Sequence, residues 1–313
     1  MNAAGRLAVF GAGLAVAFGA AYTTAAAIAP DVPAAAGRES AAAESHPVSE
    51  TAPAAPADEA GLSLANGGYQ LSPVQAPGTV GARGALSFAI LDETGQALRD
   101  YQTVHDKQLH LIVVRSDGGH FAHVHPQLDR DSGEWSIPWN WDAAGTYRVF
   151  ADFTPAGGGQ LTLTRTVDVP GTFSPSAPIG VRTVDHVAGY TVELDGTLAA
   201  GTSSQLTARI SRDGRPVTAL QPYLGAFGHL VALRDGDLAY LHVHPEGNEP
   251  SPGDSGGPTV AFAATAPTAG RYLLYLDFRV QDTVHTAAFV VDATYGGDAS
   301  KPDGSPDAGH SGH

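Results

Sequence analysis

Residues 110–126 and 229–245 are one segment written twice. HLIVVR (110–115) corresponds to HLVALR (229–234), and HVHP (123–126) to HVHP (242–245). The likeness extends outward in both directions. Gly68-Tyr69 returns as Gly189-Tyr190, LSFAILDETGQAL (86–98) as LTARISRDGRPVTAL (206–220), and AGTYRVFADF (144–153) as AGRYLLYLDF (269–278). The offset is 119 residues from Gly95 and Gly214 through Pro126 and Pro245, and 125 at the last match. One loop has therefore grown in the second copy, and Gly247 to Gly257 is its place. A period this long means two duplicated domains, not a solenoid.

Each copy reads as strands. LSFAIL and LTARIS alternate and end in polar, glycine-containing turns. HLIVVR, a turn at Ser116 to Gly119, and HFAHVH make a hairpin; HLVALR, a turn at Asp235 to Asp237, and LAYLHVH repeat it. TYRVFADF, RYLLYLDF, LTLTRTVDV and HTAAFVVDA are further β-rich runs, and no amphipathic helix interrupts them. About seven strands in roughly 110 residues predict an all-β chain of two tandem immunoglobulin-like β-sandwiches, with a small barrel as the alternative.

The flanks differ in composition. Leu7 to Ala29 carry no charge and are long enough to span a bilayer, with Arg6 before them and Asp31, Glu39 and Glu44 after. Residues 1–29 therefore read as a single-pass transmembrane anchor or a cleaved signal sequence, and either places the remainder outside the cell membrane. Residues 30–60 are Ala, Pro, Ser and Glu with almost nothing to bury, and read as a disordered stalk. Residues 61–172 and 173–295 hold the two repeats, and 296–313 read as a second disordered tail. The membrane is thus one expected partner. Nucleic acid is not: the net charge is −15 and no basic stripe is present. With no cysteine, disulfides, zinc–thiolate sites and blue-copper centres are excluded.

The histidines carry the functional signal. His110, His123 and His125 in the first copy and His229, His242 and His244 in the second share the pattern H-x12-H-x-H-P. Residues i and i+2 of a strand share a face, so each HxH pair points one way. A turn centred between Asp117 and Gly118 sets His110 opposite His125, and one between Gly236 and Asp237 sets His229 opposite His244. Three imidazoles then converge in each copy, a donor set suited to Cu(II) or Zn(II). Asp152 and Asp277 occupy matching places as fourth ligands or as acceptors for an imidazole N–H. His105 and His285 have no counterparts and are candidates to complete one site each.

At HDKQLHLIVVRSDGGHFAHVHP (105–126) and PYLGAFGHLVALRDGDLAYLHVHP (222–245) the chain resembles a family of secreted or membrane-anchored bacterial proteins, common in high-GC Gram-positive bacteria, with duplicated HxHP-containing β-sandwiches. The resemblance spans roughly residues 65–293 and implies an association with heavy-metal or copper handling. More remotely, the architecture is similar to small periplasmic copper-resistance sandwiches. Those carry methionine-rich segments, whereas Met1 is the one methionine here, which favours Cu(II) or Zn(II) over cuprous ion.

The leading expectation is therefore an extracytoplasmic metal-binding protein with one histidine site per domain. It would buffer, sense or deliver metal to a transport partner, without being an enzyme. A structural or adhesive ectodomain is the alternative, and a zinc-dependent hydrolase the third reading.

Overall fold

The computed structural model describes residues 61–176, 180–241, 243–251 and 253–295. Within them every regular element is a β-strand, and no helix is long and apolar enough to cross a membrane. The apolar stretch Leu7 to Ala29, the stalk and the C-terminal tail lie outside the described residues.

The first repeat contributes β1 (Ala65–Asn66), β2 (Tyr69–Leu71), β3 (Gly84–Leu91), β4 (Leu109–Arg115), β5 (Ala122–Val124), β6 (Gln127–Asp129), β7 (Glu134–Trp139), β8 (Gly145–Phe153) and β9 (Leu161–Val169). They form two sheets, ordered β1-β2-β3-β7-β6 and β5-β4-β8-β9. The second repeat contributes β10 (Val184–Val187), β11 (Tyr190–Gly196), β12 (Leu198–Ala199), β13 (Ser203–Arg212), β14 (Arg215–Pro216), β15 (His229–Arg234), β16 (Tyr240–Leu241), β17 (Val243–Pro245), β18 (Thr259–Thr265), β19 (Gly270–Val280) and β20 (Thr283–Thr294). Its sheets are ordered β10-β11-β13-β18-β17, with β14 on β13, and β12-β20-β19-β15-β16. The described residues are thus all-β, with the sandwich motif repeated.

Alternation explains the outer sheets. Leu86, Phe88 and Ile90 of β3 face the first core, as Leu206, Ala208 and Ile210 of β13 face the second. The strands β4, β8, β15 and β19 behave differently, because both their faces are covered. Leu109, Leu111 and Val113 enter the first core, while Ile112 and Val114 on the opposite face enter a third. That third core also takes Phe150 from β8, Val231 and Leu233 from β15, and Leu273 and Tyr275 from β19. The two sandwiches therefore join through their β4–β8 and β15–β19 sheets, and their described residues fall in one compact unit. The near-continuous apolar runs HLIVVR and HLVALR are what a strand buried on both faces requires.

The junction keeps the symmetry of the duplication. Phe121 stacks on Tyr275 with ring centroids 3.9 Å apart, and their repeat counterparts Tyr240 and Phe150 meet at 5.8 Å. Close approach at one point demands glycine. Gly118 has φ +78°, and a Cβ there would stand 2.5 Å from Leu273 Cδ1 across the junction. Its carbonyl oxygen accepts a hydrogen bond from the Tyr275 hydroxyl.

The tryptophans of β7 and the following turn pack inward. Trp135 and Trp141 are buried, and Trp139 packs against the same core.

Candidate metal centre

Strand parity decides where the histidines go. Ile112 faces the junction, so His110, two residues earlier on β4, faces it too. By the same rule His229 shares the junction face of β15 with Val231 and Leu233. Asp152 follows Phe150 on β8, and Asp277 follows Tyr275 on β19. All four therefore project between the sandwiches.

The β4–β5 hairpin adds two more rings. Leu111 pairs with Val124, Ile112 with His123 and Val113 with Ala122. That is the register of a turn centred between Asp117 and Gly118, and it sets His125 across from His110. The Nδ1 of His110 stands 3.1 Å from His123 Nε2 and 3.2 Å from His125 Nε2. His229 arrives from the other repeat, its ring stacked on that of His110 at 5.5 Å and 9° and 4.7 Å from that of His123. One nitrogen each from His110, His123 and His229 lie within 4.8 Å of one another.

His110, His123 and His125 thus meet within the first repeat as expected, but His229 of the second repeat joins them, so that among the described residues one cluster draws on both copies. The pairing of β15 with β16 has the anticipated register, Ala232 with Leu241 and Leu233 with Tyr240. After Leu241, however, the chain crosses to the other sheet. There β17 pairs with β18, Val243 opposite Ala264 and His244 opposite Ala263. His244 is exposed instead of facing His229, and His242 lies outside the described residues.

Of the two aspartates, Asp277 stands behind a ring of the cluster. Asp277 is buried, its Oδ1 accepting from the Thr286 hydroxyl at 2.6 Å and its Oδ2 from His123 Nδ1 at 2.8 Å. It therefore orients a histidine of the opposite repeat, as an acceptor and not as a fourth ligand. Asp152, also buried, accepts from Gln160 Nε2 and from the Thr162 hydroxyl. The Tyr240 hydroxyl bonds to it as well, and burial first, then this carboxylate, pushes that phenol well above its usual range. His105 lies at the edge of the cluster, outside the group of converging nitrogens. It sits in a tight turn closed by the Val104 N–H donating to the Lys107 carbonyl and the Lys107 N–H to that of Val104. Its φ of 50° and that of Asp106, 62°, are the left-handed pair such a turn needs. Its ring lies 6.3 Å from that of His110 and 6.1 Å from that of His229. His285 does not join. It packs on Tyr190 and Phe278 at the far side of the second sandwich.

A divalent ion fits these residues on two counts. First, His110 Nε2 donates to the Val104 carbonyl at 3.2 Å and His123 Nδ1 donates to Asp277. Those tautomers leave the lone pairs of His110 Nδ1 and His123 Nε2 facing each other at 3.1 Å, which a shared metal ion or a proton on one ring relieves. A proton serves one such pair, whereas an ion serves every converging nitrogen. Imidazole nitrogens bound at about 2.0–2.1 Å to a tetrahedral ion stand about 3.3–3.4 Å apart, close to the 3.1 Å and 3.2 Å that separate His110 Nδ1 from the Nε2 atoms of His123 and His125. Second, His229 Nδ1 is buried with no hydrogen-bond partner among the described residues, a state that costs about 1–3 kcal/mol.

Comparison with known proteins bears on the duplication. A family described as a domain of unknown function, DUF8832, matches twice, at residues 65–171 and 183–295. The chain belongs to the DUF8832 family. Its two DUF8832 segments coincide with the two sandwiches, so the histidine cluster is built by both copies. A search of curated proteins gives no match. Among solved structures, red sea bream transglutaminase is 12% identical with a TM-score of 0.22, covering 72% of this chain and 31% of its own. Invasin, a bacterial integrin-binding protein, is 12% identical with a TM-score of 0.21, covering 73% and 39%. The D0-D1 domain of intimin is 16% identical with a TM-score of 0.21, covering 67% and 90%. The chain thus spans only about a third of the transglutaminase and of invasin. Likenesses this slight bear on neither the fold nor the function of a DUF8832 protein, whose architecture rests on its own strand pairing.

Burial sets the charge state of the rings. Desolvation first, then the neighbouring His123, lowers the His110 pKa from 6.5 to about 3. Desolvation first, then His123 and His110, lowers that of His125 to about 2. His229 is held well below 6.5, again by desolvation first and then by the surrounding rings. These three imidazoles are therefore neutral at pH 7, the form that ligates metal.

Replacing Asp277 by Asn keeps the shape but removes the charge that fixes the His123 tautomer. Metal affinity is expected to fall about 10- to 100-fold, measured by competition with a chelator. A change under about threefold would show that Asp277 does not act through His123.

No sequence signal marks Thr286, the Val104 carbonyl or Tyr240. Each enters through a register or a junction contact that only the assembled sheets create.

Proposed function

We propose that this chain is an extracytoplasmic metal-binding protein that holds one divalent ion, Cu(II) or Zn(II), between its two β-sandwiches, for buffering, sensing or delivery to a transport partner. The observation that carries this reading is the convergence of ring nitrogens from His110, His123 and His125 on one repeat with His229 of the other, fixed from behind by Asp277. Neutral imidazoles suit both metals, and Cu(II) is held more tightly than Zn(II) by a given nitrogen site. The apolar run Leu7 to Ala29 and the charges around it support a place outside the membrane.

Calorimetric titration of the full-length chain with Zn(II) and with Cu(II) tests the reading. Saturable binding of one ion per chain is expected, lost in His123→Ala. Absence of saturable binding, or binding unchanged in that variant, would reject it and leave the tandem sandwiches as a display scaffold.

A further inference from the structure

The duplication has two copies of nearly everything except what surrounds one opening of the histidine cluster. The turn Val104–Lys107 recurs as Tyr223–Ala226, where Leu224, at φ 55°, stands in place of His105. The six residues gained by the second copy fall between β17 and β18, where the chain runs from Pro245 to Thr259. Both departures meet at the same place. A groove of about 410 Å³ is walled by that enlarged loop, with Glu246 and Glu249, and by His105 and His244. His105 and His244 also line a small cavity of about 30 Å³ whose other walls include His110 and His229. That volume holds about one water molecule or a single ion. A Cβ on Gly225 would lie 3.6 Å from His105 Nδ1 and 3.1 Å from Glu249 Oε1, so the ring and the carboxylate flank one bare stretch of backbone.

A continuous series of donors therefore leads from solvent to the buried rings: the carboxylates Glu246 and Glu249, then the imidazoles His105 and His244, then His110 and His229. We propose that His105 and His244 form a transit station through which a divalent cation enters and leaves the buried cluster, drawn in by the acidic groove. Two features support this over a role as resident ligands. His244 is exposed, and the ring centroid of His105 is more than 6 Å from those of both His110 and His229. The carboxylates raise the local cation concentration and hence the loading rate. The turn that carries His105, at φ 50°, sets its ring in the wall of the cavity.

This proposal rests on the metal-binding reading, and kinetics separate the two. Loading of the full-length chain with Cu(II), and its removal by excess chelator, are followed by stopped-flow for the wild type and for His105→Asn/His244→Gln. Asn tolerates the left-handed turn, and His244 is exposed, so the fold is kept. Loading and unloading are expected to slow together, by 10-fold or more, with the dissociation constant within about threefold of wild type. In Glu246→Gln/Glu249→Gln the loading rate is expected to lose most of its dependence on ionic strength. Unchanged rates in the histidine variant would overturn the transit station while leaving metal binding intact. So would a weakened dissociation constant with an unchanged loading rate, which would make these two residues resident ligands. A wild-type chain that takes up no Cu(II) would remove both readings.

Discussion

Replacing His229 by Ala is expected to abolish tight metal binding at the histidines of the other repeat. His229 stands more than a hundred residues from His110, His123 and His125 in sequence, yet its ring stacks on the first and lies against the second. Structural zinc sites release about 10–16 kcal/mol over four ligands, so one imidazole is worth about 3 kcal/mol, or on the order of 100-fold in affinity. The loss is expected for the whole chain, with no residual site of wild-type affinity in the first repeat. Competition with a chelator, backed by circular dichroism to confirm that the sandwiches remain folded, measures it. A His229→Ala chain that binds an ion as tightly as wild type would mean that the first repeat is self-sufficient.

Acid is expected to unfold the metal-free chain through the same rings. The sign follows from where protons go. Well above pH 6.5, His110, His125 and His229 are neutral in both folded and unfolded chains, and their burial costs no proton. Below 6.5 the unfolded chain takes up protons that folded His110, His125 and His229 refuse, because their pKa values are depressed to about 3, to about 2, and well below 6.5. Stability is therefore fully present above pH 6.5 and is lost progressively as pH falls toward the folded values. Each group contributes a slope of up to about 1.4 kcal/mol per pH unit, so the three together reach about 4. Against a total stability of about 5–15 kcal/mol, most of the margin is expected to disappear between pH 6.5 and 4. Denaturant titrations at pH 7, 6 and 5 check this, and His125→Ala is expected to remove about one proton's worth of slope. A flat profile between pH 7 and 5 would contradict neutral burial. Asp117, held at about 2 by Arg115 and by backbone donors at Ser176 and Gly119 against the opposing effect of burial, loses its stabilising charge only at lower pH.

What could be read from the sequence was local. Duplication, strand identity and the hairpin register of β4 with β5 follow from period, alternation and turn length, each confined to about twenty residues. HLIVVR announces a strand covered on both faces but does not say by what. That the covering surface is the other repeat depends on Ile112 and Val114 finding Val231 and Leu273, contacts with no sequence signature. The bond from His123 to Asp277 spans 154 residues and has the same character. The two HVHP motifs are identical, yet His244 pairs into the opposite sheet on β17 and is exposed, whereas its counterpart His125 meets His110. His285 looked like a spare ligand only because it lacked a counterpart; its register opposite Phe278 places it at a distant edge.

The central claim is that one ion is shared by both sandwiches. Anomalous diffraction from crystals of the Zn(II)-loaded full-length chain tests it most directly. One peak is predicted per chain, about 2.0–2.1 Å from ring nitrogens of His110, His123 and His229. Two peaks, each ligated within a single repeat, or a single peak that leaves His229 unligated, would contradict it.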